Sequence, residues 1–343
     1  MPTVHTVRRL RIRTAAALTA AALTVSLTAC ADPTEQPRQV ADGPVAGSQV
    51  QVIKYDTSPD QPRVKGKLDP ALAAQLPDSV RRSGVLRVAA NGAGNAPLVF
   101  VASDNRTPIG VEVDIANLVA DVVGLRVEIV NTSWENLFVG LDAQRSDVGI
   151  SNVGVSEERK DKYDLATYRL GLHAFETVKD SGWKVTGPAD ISGKRIGVGS
   201  GTLQEQVLLN WNKQNTDAGR PPAEVLYFQN ATDSYLAIRS GRLDAYLGPN
   251  PSATYHVATS GQTEIAGTVS SSYPIEGKVG IISRKGSGLA EPLAAAVNQA
   301  ITDGSYQQVL AKWGLESEAV PRSEVNPPGL PRPSKKPTAA PAR

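Results

Sequence analysis

From residue 85 onward the apolar and polar positions switch repeatedly between two rhythms. Val85-Leu86-Arg87-Val88-Ala89 reads as a strand running into a glycine-rich loop, Asn91 to Asn95. Leu98 to Ala102 reads as a second strand, turned by Ser103-Asp104-Asn105. Ile115, Leu118, Val119, Val122 and Val123 then fall at helical spacing, and Gly124 ends that helix. Leu125 to Val130 predicts a strand. Ser133 caps a helix with Trp134, Leu137, Phe138 and Leu141 on one face, and Asp147 to Ile150 predicts the next strand.

The second half follows the same scheme. Arg195 to Val198 predicts a strand entering the loop Gly199-Ser200-Gly201-Thr202, with a helix from about Leu203. Val225 to Phe228 reads as a strand, Ser234 to Ser240 as a helix and Leu243 to Leu247 as a strand. Gly277 to Ser283 follows as a strand, with closing helices over Leu289 to Thr302 and Tyr306 to Trp313. The phrases "RSDVGIS" (145–151) and "GRLDAYLG" (241–248) each lead from a helix through an Asp into a buried strand. This weak repeat predicts two similar α/β lobes, with the terminal helices returning to the first.

Composition agrees with a globular body of that size. The chain has 343 residues, 41% hydrophobic and 20% charged, enough for two lobes with sizeable cores. Its 36 Lys+Arg and 34 Asp+Glu leave a formal charge of +2, which argues against a nucleic-acid partner. Position changes that picture. Arg8, Arg9, Arg11 and Arg13 precede an uncharged run from Thr14 to Ala29, which reads as a secretory leader too short for a comfortable membrane span. Residues 79–330 carry 23 basic and 27 acidic residues, so the body is net acidic. The single cysteine, Cys30, excludes a disulfide framework and a cysteine-rich metal site. The run Leu27-Thr28-Ala29-Cys30 resembles the lipobox of bacterial lipoproteins, in which the cysteine is lipidated and becomes the mature N-terminus.

The proline-rich stretch after Cys30 fits a flexible tether, and Pro327 onward is expected to be a disordered tail. The expected organisation is therefore a leader over 1–29, a tether over 30–66, a first lobe over 67–173 and 277–326, a second lobe over 174–276, and a tail over 327–343.

Catalytic constellations are scarce. There is no G-x-S-x-G elbow, no H-E-x-x-H and no second cysteine, so neither a metal nor another cofactor is expected. His173 and His256 are far apart, and each is expected to be a surface or packed residue. His173 and Glu176 form an H-x-x-E phrase, but in a strand they face opposite sides. The glycines of 197–201 lack a nucleotide-loop spacing, yet they allow backbone N–H groups at a helix start to approach an anion. Arg159 follows the buried strand that ends near Ser151. Its planar fork matches a carboxylate, at the strand end where open α/β sheets bind ligands.

The stretch "GVEVDIANLVADVVGLRVEIVNTSWENLFVGLDAQRSDVGISNVGVSEERKDKYDLATY" (110–168) resembles the family 3 extracellular solute-binding proteins, the amino-acid-binding components of ATP-binding-cassette importers. The resemblance continues through 190–206, 237–248 and 301–314. It implies the type II periplasmic-binding-protein fold, two α/β lobes joined by two crossover strands near 172–178 and 272–280. It places the carboxylate-binding Arg on Arg159, assisting strand-end groups on Asn152 and Gly154, the second-lobe loop on Gly201 and Thr202, and a packing aromatic on Trp134. Two positions depart from the family pattern. The usual covering aromatic falls on Asn95, and the acid that pairs with the α-ammonium falls on Pro249, next to Asn250. Pro cannot hold an ammonium. Glu276, beside the return crossover, is the candidate substitute.

The resemblance implies a monomeric receptor on the outer face of the cell membrane, anchored through lipid on Cys30. It would capture a small carboxylate-bearing solute, an amino acid or derivative, and hand it to permease subunits. The alternatives are a lyase on the same fold, such as a cyclohexadienyl dehydratase with Glu276 as its acid or base, and a sensory or surface lipoprotein with a degenerate pocket.

Overall fold

The computed structural model describes residues 55–92 and 95–332. The leader, Cys30, most of the tether and residues 333–343 of the tail lie outside the described residues. Asp69 caps α1 (Pro70–Ala73) by accepting hydrogen bonds from the Ala71 and Leu72 backbones, with Pro70 at the first helical position. α2 (Asp78–Ser83) leads into β1 (Val85–Ala90). A short antiparallel pair, β2 (Phe100–Val101) and β3 (Pro108–Ile109), precedes α3 (Val111–Val122), β4 (Arg126–Asn131), α4 (Trp134–Asp142), β5 (Val148–Gly149) and β6 (Tyr163–Leu170). β7 (Leu172–Val178) opens the second lobe. It is followed by β8 (Arg195–Val198), α5 (Leu203–Asp217), β9 (Glu224–Tyr227), α6 (Ala231–Arg239), β10 (Ala245–Pro249), α7 (Asn250–Ser260) and β11 (Thr263–Ser270). The chain then returns through β12 (Lys278–Arg284), α8 (Ala290–Asp303) and α9 (Ser305–Lys312).

The strands form two five-stranded sheets, ordered β4-β1-β5-β12-β6 and β11-β7-β10-β8-β9. In the first, β1 is parallel to β4 and β5, and the returning β12 is antiparallel to β5 and β6. In the second, β8 is parallel to β9 and β10, while β7 is antiparallel to β10 and β11. Leu86 and Val88 of β1 bury against Ile115, Leu118 and Val122 of α3, with Leu293, Val297, Tyr306 and Trp313 from the closing helices. The second core gathers Phe175, Ile196 and Leu247 from the sheet beneath Leu203, Val207 and Trp211 of α5.

The recurring Asp phrase has a structural cause. Asp147 takes the Arg87 backbone N–H at 2.9 Å and pairs with its guanidinium at 2.6 Å. Asp244 does the same for Arg195, at 2.8 Å for each bond. Each Asp, entering the last parallel strand of its unit, clamps the first strand of that unit.

Several expected boundaries move. The body begins no later than Tyr55 rather than at 67. The Tyr55 ring packs 4.7 Å from Tyr255, Arg63 pairs with Asp121 at 2.9 Å, and the Gly66 N–H bonds the same carboxylate. It extends past 326, because Leu330 is buried and exchanges backbone hydrogen bonds with Val155 and Glu157. These contacts give an otherwise proline-rich segment enough buried apolar and paired backbone groups to be ordered. The first crossover falls at Gly171, between β6 and β7, so residues 172 and 173 belong to the second sheet. The strand expected over 98–102 is only β2, and the helix expected at Ser234 begins at Ala231 under an Asn230 cap.

Candidate functional site

Arg159 opens a 3-10 turn after the strand-end segment 151–156, where the Ser156 hydroxyl accepts its backbone N–H at 3.2 Å. The guanidinium turns back across the lobe. Nη1 donates to the Gly154 carbonyl at 2.8 Å, and Nη2 reaches the Gly201 carbonyl of the second lobe at 3.5 Å. Its central carbon lies 5.2 Å from the Trp134 ring centroid and 5.5 Å from that of Phe138, one turn later on α4. Among the described residues no carboxylate stands within ion-pair distance of it. Burial pushes its pKa down to about 10, so it remains cationic at neutral pH. A half-buried guanidinium held by carbonyls and rings, with no acid partner among the described residues, is a fork awaiting a carboxylate.

The facing loop belongs to the start of α5. Thr202 is the cap of that helix: its hydroxyl accepts the Glu205 N–H at 3.2 Å and donates to the Gly199 carbonyl at 2.7 Å. The Gly201 N–H is occupied by Glu205 Oε2 at 2.7 Å, and the Tyr227 hydroxyl donates to the other Glu205 oxygen at 2.8 Å. A ligand carboxylate approaching Gly201 therefore has to displace Glu205. Leu203 closes the contact between lobes, since a Cβ on Gly154 would stand 2.4 Å from Leu203 Cδ1. A hydroxyl-bearing residue at 154 would push that leucine aside.

Asn152 and Asn250 meet a different set of groups. Asn152 Oδ1 accepts from Arg169 Nη2 at 2.6 Å, and Asn250 Nδ2 donates to Glu318 at 2.8 Å. Arg169, Glu112 and Glu318 are fully buried together. Arg169 pairs with both acids, and the Tyr168 hydroxyl donates to Glu112. Burial raises the Glu112 pKa against the opposing pull of Arg169; burial also opposes the Arg169 charge, but Glu318 and Glu112 carry its pKa upward. Asn152 and Asn250 thus brace a buried polar network, one from each lobe. Asn95 donates to the Asn91 carbonyl at 3.1 Å within the first loop. Glu276 is exposed and makes no hydrogen bond or ion pair among the described residues. The structure therefore unites Arg159, Trp134, Gly154, Gly201 and the Thr202 cap. It does not join Glu276 to them.

Sequence reading missed three contributors. Phe138 was visible as the residue four after Trp134. Leu203 and Ser271 carried no local signal. Ser271 lies between the crossovers, where its N–H donates to the Gly171 carbonyl and the Gly171 N–H donates to the Gly277 carbonyl, both at 2.8 Å. A Cβ on Gly171 or Gly277 would stand 2.2 or 2.1 Å from the Ser271 hydroxyl oxygen, so a side chain at either position forces that hydroxyl to move. The H-x-x-E phrase makes no pair: Glu176 binds His256 of α7 and the Thr263 hydroxyl instead. No group of three or more metal-binding side chains occurs among the described residues.

Comparison with known proteins agrees with this fold. The sequence pattern of the bacterial extracellular solute-binding proteins, family 3, matches residues 86–316. The chain is 32% identical over 245 residues to the L-cystine-binding protein TcyJ of Escherichia coli, covering 69% of this chain and 85% of that one. It is 26% identical over 259 residues to the arginine-binding protein ArgT of Corynebacterium glutamicum, covering 75% and 83%. In three dimensions it matches an ancestral amino acid-binding protein, AncCDT-1, described as a precursor of cyclohexadienyl dehydratase. The TM-score is 0.58 at 24% identity, over 71% of this chain and 99% of that one. That similarity speaks for the fold.

Proposed function

The chain belongs to the family 3 extracellular solute-binding proteins, and from that premise we propose that it captures an amino acid or amino-acid derivative by its carboxylate for an ATP-binding-cassette importer. The relatives described above are named for binding amino acids, L-cystine and arginine, and not for an enzymatic reaction. The carrying observation is Arg159: half-buried, fixed by the Gly154 and Gly201 carbonyls across two lobes, and without an acid partner among the described residues. A ligand carboxylate supplies the missing charge, and the two lobes close on it as hinged bodies. Trp134 and Phe138 exclude water from the pair, which strengthens it.

In this reading the receptor works on the outer face of the cell membrane, held there by lipid on Cys30, and delivers its solute to permease subunits. Several features favour a receptor over a lyase. A lyase needs an acid or base poised near the working pH. Glu276 is exposed and unattached, and burial first, then Arg159, pushes the His173 pKa down to about 3, too low for an effective base at neutral pH.

A thermal-shift panel of L-amino acids and simple carboxylates tests the reading. A ligand at 100 times its dissociation constant adds about 2.7 kcal/mol of stability. Arg159→Ala is expected to weaken the best hit by about 100-fold, in line with truncation of a buried charge pair. Undiminished binding by that variant would remove Arg159 from the site, and turnover of a hit would make the protein an enzyme.

A further inference from the structure

Pro249 ends β10 at the position where the family resemblance puts the acid that pairs with the ligand's ammonium. Across the ladder, β7 sets His173 directly opposite Pro249, and β11 sets Val269 opposite His173 on the other side. Directly opposed residues of antiparallel strands project to the same face. His173 and Pro249 therefore share the face on which Phe175 and Leu247, two residues along, pack beneath α5. His173 is also at the crossover end of its strand, two residues from Gly171, and its ring senses the charge of Arg159.

The ring is 3% exposed, and apart from an approach to the Leu172 backbone, neither nitrogen finds a hydrogen-bond partner. A buried imidazole with both nitrogens unspent is costly unless something completes it. Being neutral, it offers one donor and one acceptor. Glu318, the acid that Asn250 reaches, is already held by Arg169 and Asn250.

We propose that His173 is a ligand-binding residue that takes over the place left by Pro249, giving a hydrogen bond rather than a charge to the substituent on the ligand's α-carbon. The inference rests on the receptor reading above. With Arg159 matched to the carboxylate, neither Pro249 nor the neutral His173 ring places a negative charge beside the α-substituent. An uncharged α-hydroxyl then binds about as well as an ammonium, and specificity shifts from charge to hydrogen bonding.

The test is calorimetric titration of the full-length protein with L-arginine, L-cystine and argininic acid, the α-hydroxy counterpart of arginine. His173→Phe keeps the ring volume and removes both nitrogens; His173→Gln keeps a donor and an acceptor. The Phe variant should weaken the best probe by about tenfold or more, and the Gln variant by about threefold or less. Arginine and argininic acid should differ by no more than about threefold for the wild type. In the wild type, the His173 ring resonances, assigned by their loss in His173→Phe, should move on saturation with the probe. That measurement stands even where a variant fails to fold. Equal affinity of the Phe variant and wild type, ring resonances unmoved by a saturating probe, or a preference of about tenfold for the ammonium would each overturn the assignment. Loss of binding in Arg159→Ala without loss in His173→Phe sinks this inference alone. If no member of the panel of L-amino acids and simple carboxylates binds the wild type, the receptor reading falls and takes the inference with it.

Discussion

At the scale of single residues, burial decides what the charged and polar groups do. His173 illustrates this through acid stability. Burial, reinforced by the nearby Arg159 charge, pushes its pKa from 6.5 to about 3. In the unfolded chain the ring takes up a proton near pH 6.5. In the folded chain it stays neutral down to about pH 3. Between those values the unfolded state holds the extra proton, so stability falls as pH falls, by up to about 1.4 kcal/mol per pH unit from this group. Above pH 6.5 the term vanishes. Urea unfolding of wild type and His173→Phe at pH 7 and pH 5 should therefore show a steeper acid loss in the wild type. Parallel losses would contradict the buried neutral ring. Of the site residues, Arg159 was legible because its type, its place after a strand end and the surrounding phrase agree. Asn152 and Asn250 were not, because their partners Arg169 and Glu318 are distant in sequence. His173 was legible as packed, but its relation to Pro249 exists only in the ladder register.

At the scale of elements, period and capping carried much of the fold. Ser133, Thr202 and the stripe of α3 announce their helices, and the two Asp phrases reveal matching units because each performs the same clamp on an Arg of a first strand. α7 and β11 escaped notice. α7 begins directly from a strand at Pro249 and buries only Pro251, Ser252 and Ala253, so it shows no apolar stripe. The resemblance placed the two crossovers, but the closeness of Gly171, Ser271 and Gly277 was hidden, because it joins residues distant in sequence. That closeness makes a prediction. Gly171→Ala brings its Cβ 2.2 Å from the Ser271 hydroxyl oxygen and should cost about 1–3 kcal/mol. Adding Ser271→Ala removes that oxygen and should restore part of the loss. Gly277→Ala also meets the Ser271 and Ser272 backbone nitrogens at 2.9 Å, so Ser271→Ala should not rescue it. Thermal unfolding of these variants as double-mutant cycles separates the cases, and an equal rescue of both glycines would contradict the described packing.

At the scale of the whole molecule, the bland total charge concealed a basic N-terminal segment and an acidic body, and Arg159, without an acid partner among the described residues, became the centre of the account. Contacts between the lobes surround that centre. Arg159 reaches Gly201, Asn250 reaches Glu318, and Tyr255 of α7 packs 4.7 Å from Tyr55 and 6.1 Å from Phe100. A solute that bridges the lobes through Arg159 adds to these contacts and shifts the population toward them. The measurement that bears most directly on this claim is energy transfer between dyes on Val139→Cys in α4 and Leu236→Cys in α6, both exposed, with Cys30→Ser to leave only the introduced thiols. Addition of the solute that scores best in the amino-acid panel should change the transfer efficiency saturably in the otherwise native protein, and leave it unchanged when Arg159→Ala is added at the same concentration. A saturable change that persists in full without Arg159 would contradict the account.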